Sequence, residues 1–126
     1  MISKKESIED YLEKILMLQE KQSIVRAIDL AHFMNFSKPS VSIALKKLVS
    51  YGYVLVDENN GAITLTKEGK RIAKETYEKH EIISKALISL GVNEEIAYKD
   101  ACQIEHVLSP QSFEAIKKAL SKKITR

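Results

Sequence analysis

The stretch from Arg26 to Leu65 constrains this chain most, because it packs two short helical patterns and two β-rich runs into forty consecutive residues. Arg26 to Met34 carries Ile28, Leu30, Ala31 and Phe33 at helical spacing and stops at Asn35, a residue that tolerates the left-handed conformation of a helix C-cap. Ser37 then reads as an N-cap. Lys38 and Pro39 follow in the first helical turn, where proline's missing amide does no harm. Val41, Ala44, Leu45 and Leu48 line one side of this second helix up to Gly52, while Ser40, Ser42, Lys46 and Lys47 face away from it. Tyr53 to Val56 and Ala62 to Leu65 are strand-like, and the segment between them, Asp57 to Gly61, ends in the Asn-Gly turn signal. Helix, tight turn, helix and hairpin in this order make a winged helix-turn-helix. Small hydroxyls near the start of the second helix suit base edges, and lysines further along suit phosphates. Ser37, Lys38, Ser40, Ser42, Lys46 and Lys47 are therefore expected to face double-stranded DNA. Charge agrees with that placement. Arg26 to Lys74 holds eight Lys/Arg against four Asp/Glu, whereas Glu75 to Arg126 holds eight of each.

The flanking sequence is helical. Ser7 to Asp10 has the form of a capping box ahead of Tyr11, Leu12, Ile15, Leu16 and Leu18, which predicts a first helix from about Ser7 to Glu20. Its Asp10 and Glu13 stand one turn apart and point the same way. After the hairpin, Thr66 opens a long helix that continues despite Gly69 to about Leu90, where Gly91 ends it. Asn93 caps a helix from Glu94 to about Leu108, with Ala97, Ala101, Ile104 and Leu108 as an apolar stripe that reads as core or as a dimer seam. An amphipathic helix from about Gln111 to Ile124 closes the chain, with Phe113, Ile116, Ala119 and Leu120 on its apolar side. The expected fold is mainly α: a winged helix-turn-helix DNA-binding domain over 1–74, then a helical metal-binding and dimerisation domain over 75–126.

Cys102-Gln-Ile-Glu105-His106 carries the chemistry. At about 3.6 residues per turn, positions i, i+3 and i+4 share a side, so a thiol, a carboxylate and an imidazole converge. Sulfur, oxygen and nitrogen donors that can each lose a proton are what a transition-metal ion requires, and further ligands must come from elsewhere in the chain. The histidines available are His32, His80 and His106, and His32 within the helix-turn-helix reads as a surface or packing residue. With a single cysteine no internal disulfide can form. No apolar run reaches the roughly 20 residues that span a bilayer and no signal-peptide core is present, so a cytoplasmic protein without a membrane partner is expected.

A winged helix in front of Cys102-x-x-Glu105-His106 resembles the metal-dependent repressors of the diphtheria toxin repressor and manganese transport regulator family. The resemblance spans essentially the whole chain and is carried most specifically by Ser7 to Glu13, by the isolated His80, and by Ile104 to Ser109. It implies that Asp10, Glu13, His80, Glu105 and His106 match metal ligands of the manganese branch, in which the position of Cys102 is a glutamate. In the iron branch that position is a cysteine, as here, but the position of Asp10 is a methionine. The chain is thus a hybrid. Asp10 favours a hard ion such as Mn²⁺, and the Cys102 thiolate favours Fe²⁺ and, in vitro, Co²⁺ or Zn²⁺. An acidic residue used in a second site of the iron branch is replaced by Ser84. The family pattern also places DNA contacts at Pro39, Ser40 and Ser42. The expected form is the shorter, two-domain one, without the SH3-like domain of iron-type members.

From these expectations follows a homodimeric repressor of metal-uptake genes, with Fe²⁺ or Mn²⁺ as corepressor and a palindromic operator as target. Two other readings compete with it. A winged-helix regulator could answer to an oxidant through Cys102 or to an organic effector, but a redox sensor often needs a resolving cysteine, and the chain has none. A metallohydrolase needs an open coordination position and a general base, whereas here each acidic or imidazole group near the motif is a candidate ligand. No enzymatic activity and no organic substrate are expected.

Overall fold

A computed structural model describes residues 4–124 and divides the chain into two compact units, Met1–Lys74 and Glu75–Arg126. Among the described residues there are six helices and one antiparallel hairpin: α1 (Lys4–Lys21), α2 (Ala27–Met34), α3 (Lys38–Ser50), β1 (Val54–Val56), β2 (Ile63–Leu65), α4 (Lys67–Ser89), α5 (Glu94–Val107) and α6 (Pro110–Ile124). The unit boundary falls inside α4.

In the first unit the periodic apolar residues meet in one core. Leu12 and Ile15 of α1, Leu30 of α2, Val41, Leu45 and Leu48 of α3, Val54 and Ile63 of the hairpin and Ala73 of α4 are all buried together. Asn35 adopts the left-handed conformation at φ 57°, so the chain reverses between α2 and α3 within a few residues. The α2 start is held by Asp29, whose carboxylate accepts from the Arg26 amide at 2.9 Å. Ser37 caps α3, accepting from the Ser40 amide at 3.3 Å, with Pro39 in the first turn. The hairpin pairs Val54 with Leu65 and Val56 with Ile63, and Ile63 also donates to the Val25 carbonyl at 2.8 Å, which ties the wing to the segment before α2.

One boundary differs from the sequence expectation, and two further details refine it. α1 begins at Lys4, ahead of Ser7, so the Ser7–Asp10 box lies within the helix and does not start it. The turn spans more than the Asn-Gly pair. Val56 pairs with Ile63 across a six-residue loop in which Asp57 Oδ1 accepts the amides of Asn59 and Asn60 and Asp57 O accepts from Gly61. The side chain of Asp57 therefore organises the turn. Finally, Ala97 and Ala101 are fully buried, which makes that part of the α5 stripe core within one chain.

The second unit joins the C-terminal part of α4 to α5 and α6. It buries Thr76, Ile83, Ser84, Ala97, Ala101, Glu105, Phe113 and Leu120. Asn93 caps α5 through its side-chain oxygen, which accepts from Glu95 at 2.9 Å. Lys117 of α6 reaches Glu78 of α4 at 2.9 Å.

Candidate metal centre and nucleic-acid interface

The second unit assembles four of the six expected metal ligands. Glu105, on the inner side of α5, is 2% exposed. Its Oε2 lies 3.1 Å from His80 Nδ1 on α4, and its Oε1 lies 3.4 Å from His106 Nε2. The same His80 nitrogen is 3.7 Å from Cys102 Sγ. One imidazole nitrogen thus faces a sulfur and an oxygen at once. The Cys102 sulfur first, and the Glu105 carboxylate second, push the His80 pKa up to about 10 against the opposing effect of burial. Burying a carboxylate is unfavourable unless charge of the other sign accompanies it. Here the groups that can carry it are the two imidazoles, with the Cys102 thiol beside His80; imidazole and thiol can each lose a proton and present a lone pair. Imidazole nitrogen, carboxylate oxygen and thiol sulfur are donor types that a divalent transition ion takes.

Asp10 and Glu13 lie in the first unit, on α1, one turn apart. Asp10 is half-buried. Glu13 is fully buried, its Oε1 pairs with Lys14 at 3.1 Å, and its Oε2 has no hydrogen-bond partner among the described residues. A solvated role for Glu13 is thereby removed. Ser84, one turn after His80, is 1% exposed and holds only a hydroxyl where the iron-type second site has an acid.

Sequence reasoning missed Tyr98. Its ring lies nearly parallel to the His80 imidazole, 5.8 Å between centroids and 15° between planes, and its hydroxyl reaches Glu94 at 3.4 Å. The available signal was the i, i+4 spacing of Tyr98 and Cys102 on one helix.

α3, the helix expected to face DNA, has three lysines and no acidic residue. Ser37, Lys38, Pro39, Ser40, Lys46 and Lys47 are exposed. The Ser37 hydroxyl donates to Ser40 Oγ at 2.8 Å, so these two hydroxyls are partly engaged with each other at the helix start. Ser42 is only half-buried and, with Lys46, edges an open groove of about 340 Å³ also lined by Ala27, Leu45, Val49 and Val56. Ile43, exposed at 59%, lies among these polar groups.

Among the described residues, no helix is long and apolar enough to cross a membrane. The family model for "Iron dependent repressor, N-terminal DNA binding domain" matches residues 5–62, and that for "Iron dependent repressor, metal binding and dimerisation domain" matches residues 66–123. The transcriptional regulator MntR of Salmonella typhimurium is 37% identical over 112 residues, covering 89% of this chain and 71% of the relative. An uncharacterised HTH-type transcriptional regulator of Methanocaldococcus jannaschii is 39% identical over 114 residues, covering 89% and 90%. The solved structure of the manganese regulator SloR superposes with a TM-score of 0.80 at 32% identity over 90% of this chain, which spans about half (53%) of that longer protein. With both halves matched by the repressor models and the relatives aligned across nearly the whole length, the chain belongs to the diphtheria toxin repressor and manganese transport regulator family of metal-dependent transcriptional repressors.

Proposed function

We propose that the protein represses metal-uptake genes by binding a palindromic operator as a homodimer, with Fe²⁺ or Mn²⁺ as corepressor. The observation that carries this reading is the buried Glu105 carboxylate, with an imidazole nitrogen at each of its oxygens and the Cys102 thiol beside His80. Relatives named as manganese regulators support the choice of ion. His80, Cys102, Glu105 and His106 would hold the ion from the second unit, and Asp10 and Glu13 from the first. When bound, the ion would supply positive charge to the carboxylates that hold it.

What the chain contributes follows from where these residues sit. Asp10 and Glu13 share a unit with α3, and the other four share a unit with the region matched as the dimerisation domain. Without the ion, Asp10, Glu13 and Glu105 add like charges, which resists their being held together. Compensated, they restrict how α3 is presented by each protomer. Two reading helices must meet half-sites about 34 Å or a multiple apart, so that restriction favours operator binding.

The test uses DNA selected from a random duplex library in the presence of Mn²⁺. Glu105→Ala and His106→Ala should each abolish Mn²⁺-dependent retardation in a gel shift while the protein remains a folded dimer by circular dichroism and sedimentation. Wild-type binding that persists unchanged with a chelator would overturn the corepressor role.

A further inference from the structure

The side of α3 turned away from the core carries an apolar residue. Val41, Leu45 and Leu48 form its buried stripe, and at about 100° per residue Ile43 lies on the diametrically opposite side. Ile43 is 59% exposed and is absent from the core cluster and from the apolar residues packed against it. On the helix surface it is one turn from Ser40 and one turn from Lys47, with Pro39 and Lys46 on its other flank. The N-terminal part of this face carries hydroxyls and the C-terminal part carries cations. An exposed β-branched residue in a helix is favoured neither by hydration nor by helix propensity. The centre of a basic, otherwise polar face is where it would meet the floor of a major groove, and the one apolar group displayed there by a standard base pair is the C5-methyl of thymine.

We infer that Ile43 is a specificity-determining residue that reads a thymine methyl in each operator half-site. The inference rests on the proposed DNA-binding function and deepens it by assigning one base. Lys46 and Lys47, by contrast, meet phosphates and carry no sequence information.

The experiment selects duplexes from a random library with the full-length protein and Mn²⁺, then measures binding to the selected duplex with each half-site thymine replaced in turn by deoxyuridine, which removes only the methyl. At one position per half-site, wild type should lose about fourfold in affinity, the worth of one buried methyl-sized group. Ile43→Ala should bind the thymine and deoxyuridine duplexes equally, while Lys47→Ala binds both more weakly and keeps the ratio. Deoxyuridine that is tolerated at every position by wild type, or a discrimination that survives in Ile43→Ala, overturns the assignment while leaving DNA binding intact. A library that yields no bound duplex in either metal state would instead overturn the proposed function, and Ile43 with it.

Discussion

Among the proposed ligands, Cys102 is the one whose donor atom would separate soft from hard ions. It is half-buried and 3.7 Å from His80 Nδ1, so a change of donor there alters the cluster without exposing its surroundings. Cys102→Glu should shift the metal retained after exposure to a mixture of Mn²⁺, Fe²⁺, Co²⁺ and Zn²⁺ toward Mn²⁺, read by elemental analysis of anaerobically dialysed protein. A retained-metal profile identical to wild type would remove Cys102 as the selectivity residue. How far this cluster could be read from sequence depends on sequence distance. Cys102, Glu105 and His106 are brought to one side by helical periodicity alone, and that was legible. His80 lies 22 residues before Cys102, and no local rule brings the two together. Its inclusion came from the family resemblance. Tyr98 was passed over because its stacking partner His80 is distant in sequence, and no local rule pairs the two.

At the scale of elements, most boundaries follow from caps that the sequence states openly: Asn35 after α2, Ser37 before α3 and Asn93 before α5. Gly69 was different. In the sequence it is a blemish in a helical pattern, tolerated at roughly 1 kcal/mol relative to alanine. In the fold it is required, because α4 begins against the turn that follows α3. Thr66 binds this turn twice, its amide donating to the Tyr53 carbonyl at 3.0 Å and its hydroxyl donating to Gly52 O at 2.7 Å, and it then caps α4 by accepting from the Gly69 amide at 3.1 Å. A Cβ added at Gly69 would overlap the Tyr53 carbonyl oxygen and lie 2.9 Å from its carbon. Backbone on both sides leaves nothing flexible to yield. Gly69→Ala should therefore lower the unfolding free energy by roughly 1–3 kcal/mol, the usual penalty of overpacking, despite the gain in helix propensity. Urea denaturation followed by circular dichroism measures it, and an unchanged or raised midpoint would mean that the Tyr53 turn moves aside freely. The hairpin was legible from its two β-rich runs and the Asn-Gly signal, but the signal did not show that the Asp57 side chain closes the loop.

At the scale of the whole molecule, the question left by periodicity was whether the apolar stripe of α5 packs inside one chain or against a second. Burial separates the two. Ala97 and Ala101 are fully buried within the chain, whereas Ile96 and Val107 of the same helix are 54% and 74% exposed. Eleven residues make about three helical turns, so Ile96 and Val107 share one side of α5, and that side is not the one that packs inward. Both fall in the region matched as a metal-binding and dimerisation domain. Isolated apolar residues on a surface need no explanation, but a pair aligned on the outer face of a helix in such a domain is what a symmetric seam between two copies uses. Ile96→Glu combined with Val107→Glu would place four carboxylates at a two-fold seam and should convert the dimer to monomer in sedimentation velocity, with the helical signal unchanged. Operator affinity should fall with it, because a monomer engages one half-site and gains nothing from the second. A double variant that still sediments as a dimer would move the seam to another face, and one that turns monomeric yet keeps full operator affinity would show that the two half-sites are bound independently.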